Sequence, residues 1–186
     1  MFKNLFKCTS IVILFSVITL SQSDSIRYIS ITFDDLPMNT KYLEDGTQWV
    51  EQRQRLLSTV KKVNIPAIGC VNEYKLYIND VLDSTRLKAL QLWVDADLDL
   101  GNHTFSHRDY HNTDEHIFFE DIIKGEKITS ELLSLKNKKL EYFRHPYLHT
   151  GMSLEKKKAL EDFLNDHNYT IAPVTIDNGE WIYARA

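Results

Sequence analysis

Residues 31–39 read ITFDDLPMN, a short β-branched and aromatic run that meets two adjacent aspartates, Asp34 and Asp35, and then a proline. Residues 26–33 carry Ile26, Tyr28, Ile29, Ile31 and Phe33, the composition of a strand, and Asp34 is expected to end it. Neighbouring carboxylates at a strand end repel each other, so the pair asks for a counter-charge from elsewhere. By itself such a pair reads as a turn or helix cap.

The rest of the chain decides between these readings, because strand and helix signals alternate along it. Pro37, Asn39, Asp45 and Gly46 mark a loop, after which Trp49, Leu56, Leu57, Val60 and Val63 share one helical face. Pro66 opens an apolar strand at residues 67–71, and Leu87, Leu90 and Val94 predict a helix over 84–95. Residues 98–102 follow as a strand, 114–139 as a charged helix, 141–144 as a short strand, 153–167 as a lysine-rich helix and 169–175 as the last strand. This alternation predicts an α/β fold with a largely parallel sheet or barrel. In such folds functional groups collect at the carboxyl ends of the strands.

With 186 residues, 43% hydrophobic and 26% charged, the composition predicts one soluble domain. The first 23 residues stand apart. Lys3 and Lys7 precede the apolar run of residues 11–20, and Ser21, Gln22 and Ser23 follow it, the pattern of a secretory leader. An uncleaved anchor is the alternative, but the run is shorter than the roughly 20 residues that span a bilayer. Cys8 lies before the run rather than after it, which speaks against a lipid anchor. The expected mature domain is therefore residues 24–186, exported to a periplasm or secreted, with no stable membrane anchor. Losing Lys3 and Lys7 removes two positive charges from a formal −4, leaving −6, a poor match to nucleic acid. Only Cys70 remains, so no intrachain disulfide can form; it reads as a small buried residue, with a reactive thiol as the alternative.

Four polar clusters follow predicted strands: Asp34 with Asp35, GNHTFSH at 101–107, FRHPYLHTG at 143–151 and TIDNGEW at 175–181. His103 and His107 are four apart, a spacing that on one turn of helix sets both imidazoles on one face. Two imidazoles and one carboxylate would hold a divalent ion with a position left open, a catalytic rather than a structural set. One aspartate of the pair would bind the cation while its neighbour stays free as a base. Two unrelated surface histidines are the alternative, and His111, His116, His149 and His167 read as such.

TFDD at 32–35, HTFSH at 103–107 and RHPY at 144–147 resemble, in order, the first three motifs of the NodB-like polysaccharide deacetylases, carbohydrate esterase family 4. The similarity runs from about residue 26 to the end of the chain. The resemblance implies a distorted (β/α) barrel, incomplete at its C-terminus. It implies Asp34 as general base and Asp35, His103 and His107 as ligands of a divalent metal, usually zinc, which polarises an amide carbonyl and acidifies water. Arg144 would orient Asp34, or else form a surface ion pair, and the Tyr147 backbone N–H would help stabilise an oxyanion. Pro146 would fix the turn on the substrate side that aims Tyr147. Asp177 stands where the family has an acid and Trp181 where it has a groove-lining tryptophan, with a core tryptophan as the alternative. Glu180 departs from the usual aspartate.

The family's fifth motif, a strand ending in a histidine that protonates the departing amine, has no counterpart after Trp181, so a truncated domain with slowed amine expulsion is expected. His149, in the third-motif loop, is not accepted as a substitute. The implied reaction is hydrolysis of the N-acetyl amide of an amino-sugar polymer such as peptidoglycan or chitin, releasing acetate. A deacylase of a small non-sugar amide and a catalytically dead carbohydrate-binding or vestigial fragment remain as alternatives.

Overall fold

The computed structural model of the protein describes residues 28–37 and 46–179. The expected leader, Glu180 and Trp181 lie outside the described residues. Among the described residues no helix is long and apolar enough to cross a membrane.

Strand β1 (Ile31–Leu36) begins after residues 28–30, which are not in a strand, while residues 26 and 27 of the expected strand lie outside the described residues; it runs through both aspartates instead of stopping at Asp34. It pairs with β2 (Ala67–Val71), which is buried along its whole length as expected of a central parallel strand. Then come β5 (Asp99–Asn102), β6 (Tyr142–Phe143) and β7 (Thr170–Ile171), all parallel, in the order β1-β2-β5-β6-β7. Each strand is added beside the previous one, the winding of a (β/α) barrel. Among the described residues this sheet does not close, and β1 and β7 form its edges. A small antiparallel hairpin, β3 (Tyr77–Ile78) with β4 (Val81–Leu82), was not legible in the sequence.

Helices α1 (Gly46–Val63) and α2 (Ser84–Asp95) fall where hydrophobic periodicity predicts them, and α5 (Leu154–Asp166) falls where the lysine-rich helix is expected. Asp83 and Ser153 cap α2 and α5 by accepting the N–H groups of Arg86 and Lys156. The single helix expected over 114–139 is two, α3 (Glu115–Lys124) and α4 (Lys127–Ser134). The break lies at Gly125, where a Cβ would stand 2.7 Å from the backbone nitrogen of Phe105. The histidine-bearing loop passes that close, so the chain needs glycine there. The last strand is two residues rather than the seven of 169–175.

Two apolar clusters support the sheet. Leu57, Val60, Leu90, Trp93 and Val94 from α1 and α2 pack with Val71 and Leu100, while Phe118, Ile122, Leu160 and Leu164 from α3 and α5 pack with Phe143 and Tyr169. Val63 points away from the first cluster and is exposed, against the periodicity. Cys70 is fully buried, and burial, reinforced by the charge of Asp34, pushes its thiol up. It stays protonated, which removes the reactive-thiol reading.

Candidate metal centre

Asp34 and Asp35 are presented by a bulge. The β1–β2 register runs from Ile31 opposite Ala67 to Phe33 opposite Gly69, slips, and resumes at Leu36 opposite Val71. Asp35 takes the left-handed conformation, φ 66°, unusual for a residue other than glycine. Lys75, buried in the 3-10 turn Glu73–Leu76, holds it there: its ammonium donates to the Asp35 carboxylate at 2.9 Å and to its backbone carbonyl at 3.1 Å. Burial is the largest single influence and favours the neutral acid, but the charge and hydrogen bond of Lys75 together with His107 and His103 outweigh it and keep the Asp35 carboxyl below its ordinary value. Burial in turn lowers Lys75, opposed by Asp35.

His103 and His107 do not lie on a helix as the spacing suggests. Residues 103–107 form a loop in which Thr104 (φ 63°) and His107 (φ 56°) are left-handed. Hydrogen bonds from four directions replace the missing helical ones. The His103 amide donates to Val71 O, Asn72 Nδ2 donates to His103 O, Asn102 Oδ1 accepts the Thr104 amide, and Asp121 accepts the Ser106 amide and hydroxyl. The loop thereby brings the two imidazoles to a centroid separation of 4.8 Å.

His103 is almost fully buried, and burial pushes its pKa down to about 4, so the ring is neutral at physiological pH. Its Nδ1 lies 2.8 Å from the Arg144 carbonyl oxygen. A carbonyl only accepts, so Nδ1 carries the proton and Nε2 keeps its lone pair for a cation. His107 Nε2 lies 3.7 Å from Asp35 Oδ1. One donor atom each from Asp35, His103 and His107 can be chosen within 4.8 Å of one another. Two neutral imidazole nitrogens and a carboxylate fit zinc with an open coordination position.

Beside this set, Arg144 reaches Asp34 at 3.4 Å and Thr32 Oγ1 at 3.0 Å from a position 1% exposed, so it is not a surface ion pair. Pro146 is buried at the start of the turn Pro146–Leu148, and Tyr147 (φ 55°) sets its ring edge-on to His107 at 4.5 Å. Asp177 is exposed and accepts the Gly179 amide within its own turn; no contact described joins it to Asp34 or the histidines. Four residues that sequence reasoning missed support the site: Lys75, Asn72, Asn102 and Asp121. Asn72 and Asn102, each at the carboxyl end of a strand, and Asp121, an acid on the apolar face of residues 117–123, were the available signals.

The sequence profile described as polysaccharide deacetylase matches residues 21–171. The chain belongs to the polysaccharide deacetylase family. Its fold is shared with a CE4 family pseudoenzyme from Bacillus anthracis (18% identity, TM-score 0.59), covering 83% of this chain and 45% of that one. It is shared with a family 4 carbohydrate esterase from Streptomyces lividans in complex with acetate (17%, 0.62), over 84% of this chain and 67% of that one. A chitin deacetylase from the fungal pathogen Colletotrichum lindemuthianum also matches (17%, 0.58), over 82% of this chain and 57% of that one. The deacetylase-family chain thus spans under half the length of the pseudoenzyme and about two thirds or less of the other two. No curated protein sequence matches it.

Proposed function

We propose that the protein is an exported, metal-dependent N-deacetylase that hydrolyses the acetamide of an amino-sugar polymer of the peptidoglycan or chitin type and releases acetate. The observation that carries this reading is the convergence of Asp35, His103 and His107 beside Asp34, with Arg144 behind it. A divalent ion, zinc by the donor set, supplies Lewis-acid polarisation of the amide carbonyl and a more acidic water when bound.

The chain's own residues do the rest. Asp34, one third exposed on its side chain, takes the proton of the attacking water, and the Arg144 guanidinium holds it in place. The buried Arg144 carbonyl fixes the His103 tautomer. Tyr147 lines the open side beside His107 and presents its backbone N–H to the developing oxyanion, on a turn set by Pro146. Asp177 is a catalytic acid and Trp181 a wall of the substrate groove in this reading, and export rests on the leader at residues 1–23.

Acetate release from chitooligosaccharides, peptidoglycan fragments and small N-acetyl amides tests the reading. Zinc-dependent release from a polymer supports it; release only from small amides redirects it to a small-amide deacylase. A second reading, carbohydrate binding without turnover, is favoured by the exposed position of Asp177 and the likeness to a pseudoenzyme. Polymer binding by zinc-loaded protein with no acetate from any substrate would select it.

A further inference from the structure

A second histidine and aspartate cluster lies outside this constellation. Asp109, His111 and His149 each offer one ligand atom, and these atoms lie within 4.8 Å of one another. Nothing local joins them along the chain, since 40 positions separate Asp109 from His149. The turn after His107 is anchored by Tyr110, fully buried against Phe118 with its hydroxyl on the Lys156 carbonyl, so residues 109 and 111 flank a fixed point. Asp109 is held further by the His111 amide at 2.9 Å and by Asn112 Nδ2 at 2.6 Å. His149 follows two left-handed residues, Tyr147 (φ 55°) and Leu148 (φ 60°), that deliver its Nδ1 to Asp109 Oδ1 at 2.6 Å. The His111 and His149 rings stack 3.7 Å apart, inclined by only 6°.

We propose that Asp109, His111 and His149 form a second divalent-cation site, selective for zinc-like ions and separate from the one beside Asp34. Two imidazole nitrogens and a single carboxylate suit zinc and its neighbours; calcium and magnesium require mostly oxygen donors. Tetrahedral ligands bound at about 2 Å stand about 3.3 Å apart, so the Asp109–His149 contact opens by under an ångström and the stacked rings tilt toward the ion. The ion takes the place of the hydrogen bond between His149 and Asp109, and the imidazole that ligates through one ring nitrogen carries its proton on the other. Solvent fills the fourth position, because all three residues are only partly buried.

Zinc stoichiometry and affinity of the metal-stripped full chain, measured by equilibrium dialysis and elemental analysis, test this. Wild type should take up two ions. Asp109→Asn, His111→Gln and His149→Gln should each weaken one of them at least as much as losing an outer-shell partner does, about tenfold or more, and leave the other unchanged. His107→Ala should weaken only the other ion, and His116→Gln, a surface histidine paired with Glu120, neither. One ion that is lost in His107→Ala and kept in all three cluster variants overturns the second site and leaves the proposed function standing. One ion lost only in the cluster variants does the reverse. Circular dichroism shows that each variant is folded, and the variants assign each ion counted in wild type to its cluster.

Discussion

Two histidine and aspartate clusters share the Tyr147 ring as a neighbour, 4.5 Å from His107 on one hand and 5.8 Å from His149 on the other, and they are built differently. In the first, His103 is 2% exposed, its tautomer is fixed by the Arg144 carbonyl, and the carboxylate is clamped by Lys75. In the second, Asp109 and His149 are 26% and 37% exposed on their side chains and are bonded to each other. Burial with outer hydrogen bonds pre-organises the first for a cation, whereas the second must open to receive one. In the proposed reading, the difference gives chemistry to the first cluster and simple binding to the second.

The sharpest way to break this contrast is to separate binding from chemistry in the first cluster. Asp34→Asn should keep stoichiometric zinc and lose turnover by roughly the 10²–10⁴-fold that a general base contributes, while Asp35→Ala or His103→Ala should lose the zinc itself. Equal zinc loss in all three would erase the distinction between base and ligand.

Acid should strike the first cluster next. His103 and His145 are both buried with pKa values near 4, against an ordinary 6.5. Folded protein therefore binds fewer protons than unfolded protein between those values, and stability falls as pH drops from about 6.5 to about 4. The loss is on the order of 3 kcal/mol per histidine at most. Thermal unfolding of metal-free protein across that window checks it; a flat melting temperature contradicts it.

Gly125→Ala should come third, costing about 1–3 kcal/mol, because the new methyl meets the Phe105 backbone in the loop that carries both histidines. Chemical denaturation measures it. Lys75→Met should follow, weakening zinc at the first cluster about tenfold by releasing the clamp that holds the Asp35 carboxylate. Tighter zinc instead would mean that Lys75 acts mainly as a competing cation on Asp35. The smallest effect is expected for His149→Gln, whose part-exposed contact with Asp109 should change metal-free stability by under about 1 kcal/mol.

The α/β layout and the residues of the first cluster were legible before the structure, and the second cluster was not. The apolar periodicity of α1 and α2, the lysine-rich helix at α5 and the run at 67–71 carried the α/β alternation, because those segments bury one face or the whole strand. The motifs carrying Asp34, Asp35, His103, His107 and Arg144 were each local in sequence. What was not legible depends on contacts between distant segments. The i, i+4 spacing of the histidines reads as a helix, yet Asn72, Asn102 and Asp121 supply enough hydrogen bonds to hold a left-handed loop instead. Gly125 reads as a mild helix defect until the Phe105 backbone is seen against it. Lys75 lies 40 positions from Asp35, and nothing local announces their pairing.

Anomalous diffraction at the zinc edge from zinc-loaded crystals bears most directly on the placement of Asp35, His103 and His107. A peak bonded to all three, with Asp34 alongside and not coordinating, is the expected result. A zinc-loaded crystal with no peak between them, or one coordinated by Asp34 in place of Asp35, would contradict it.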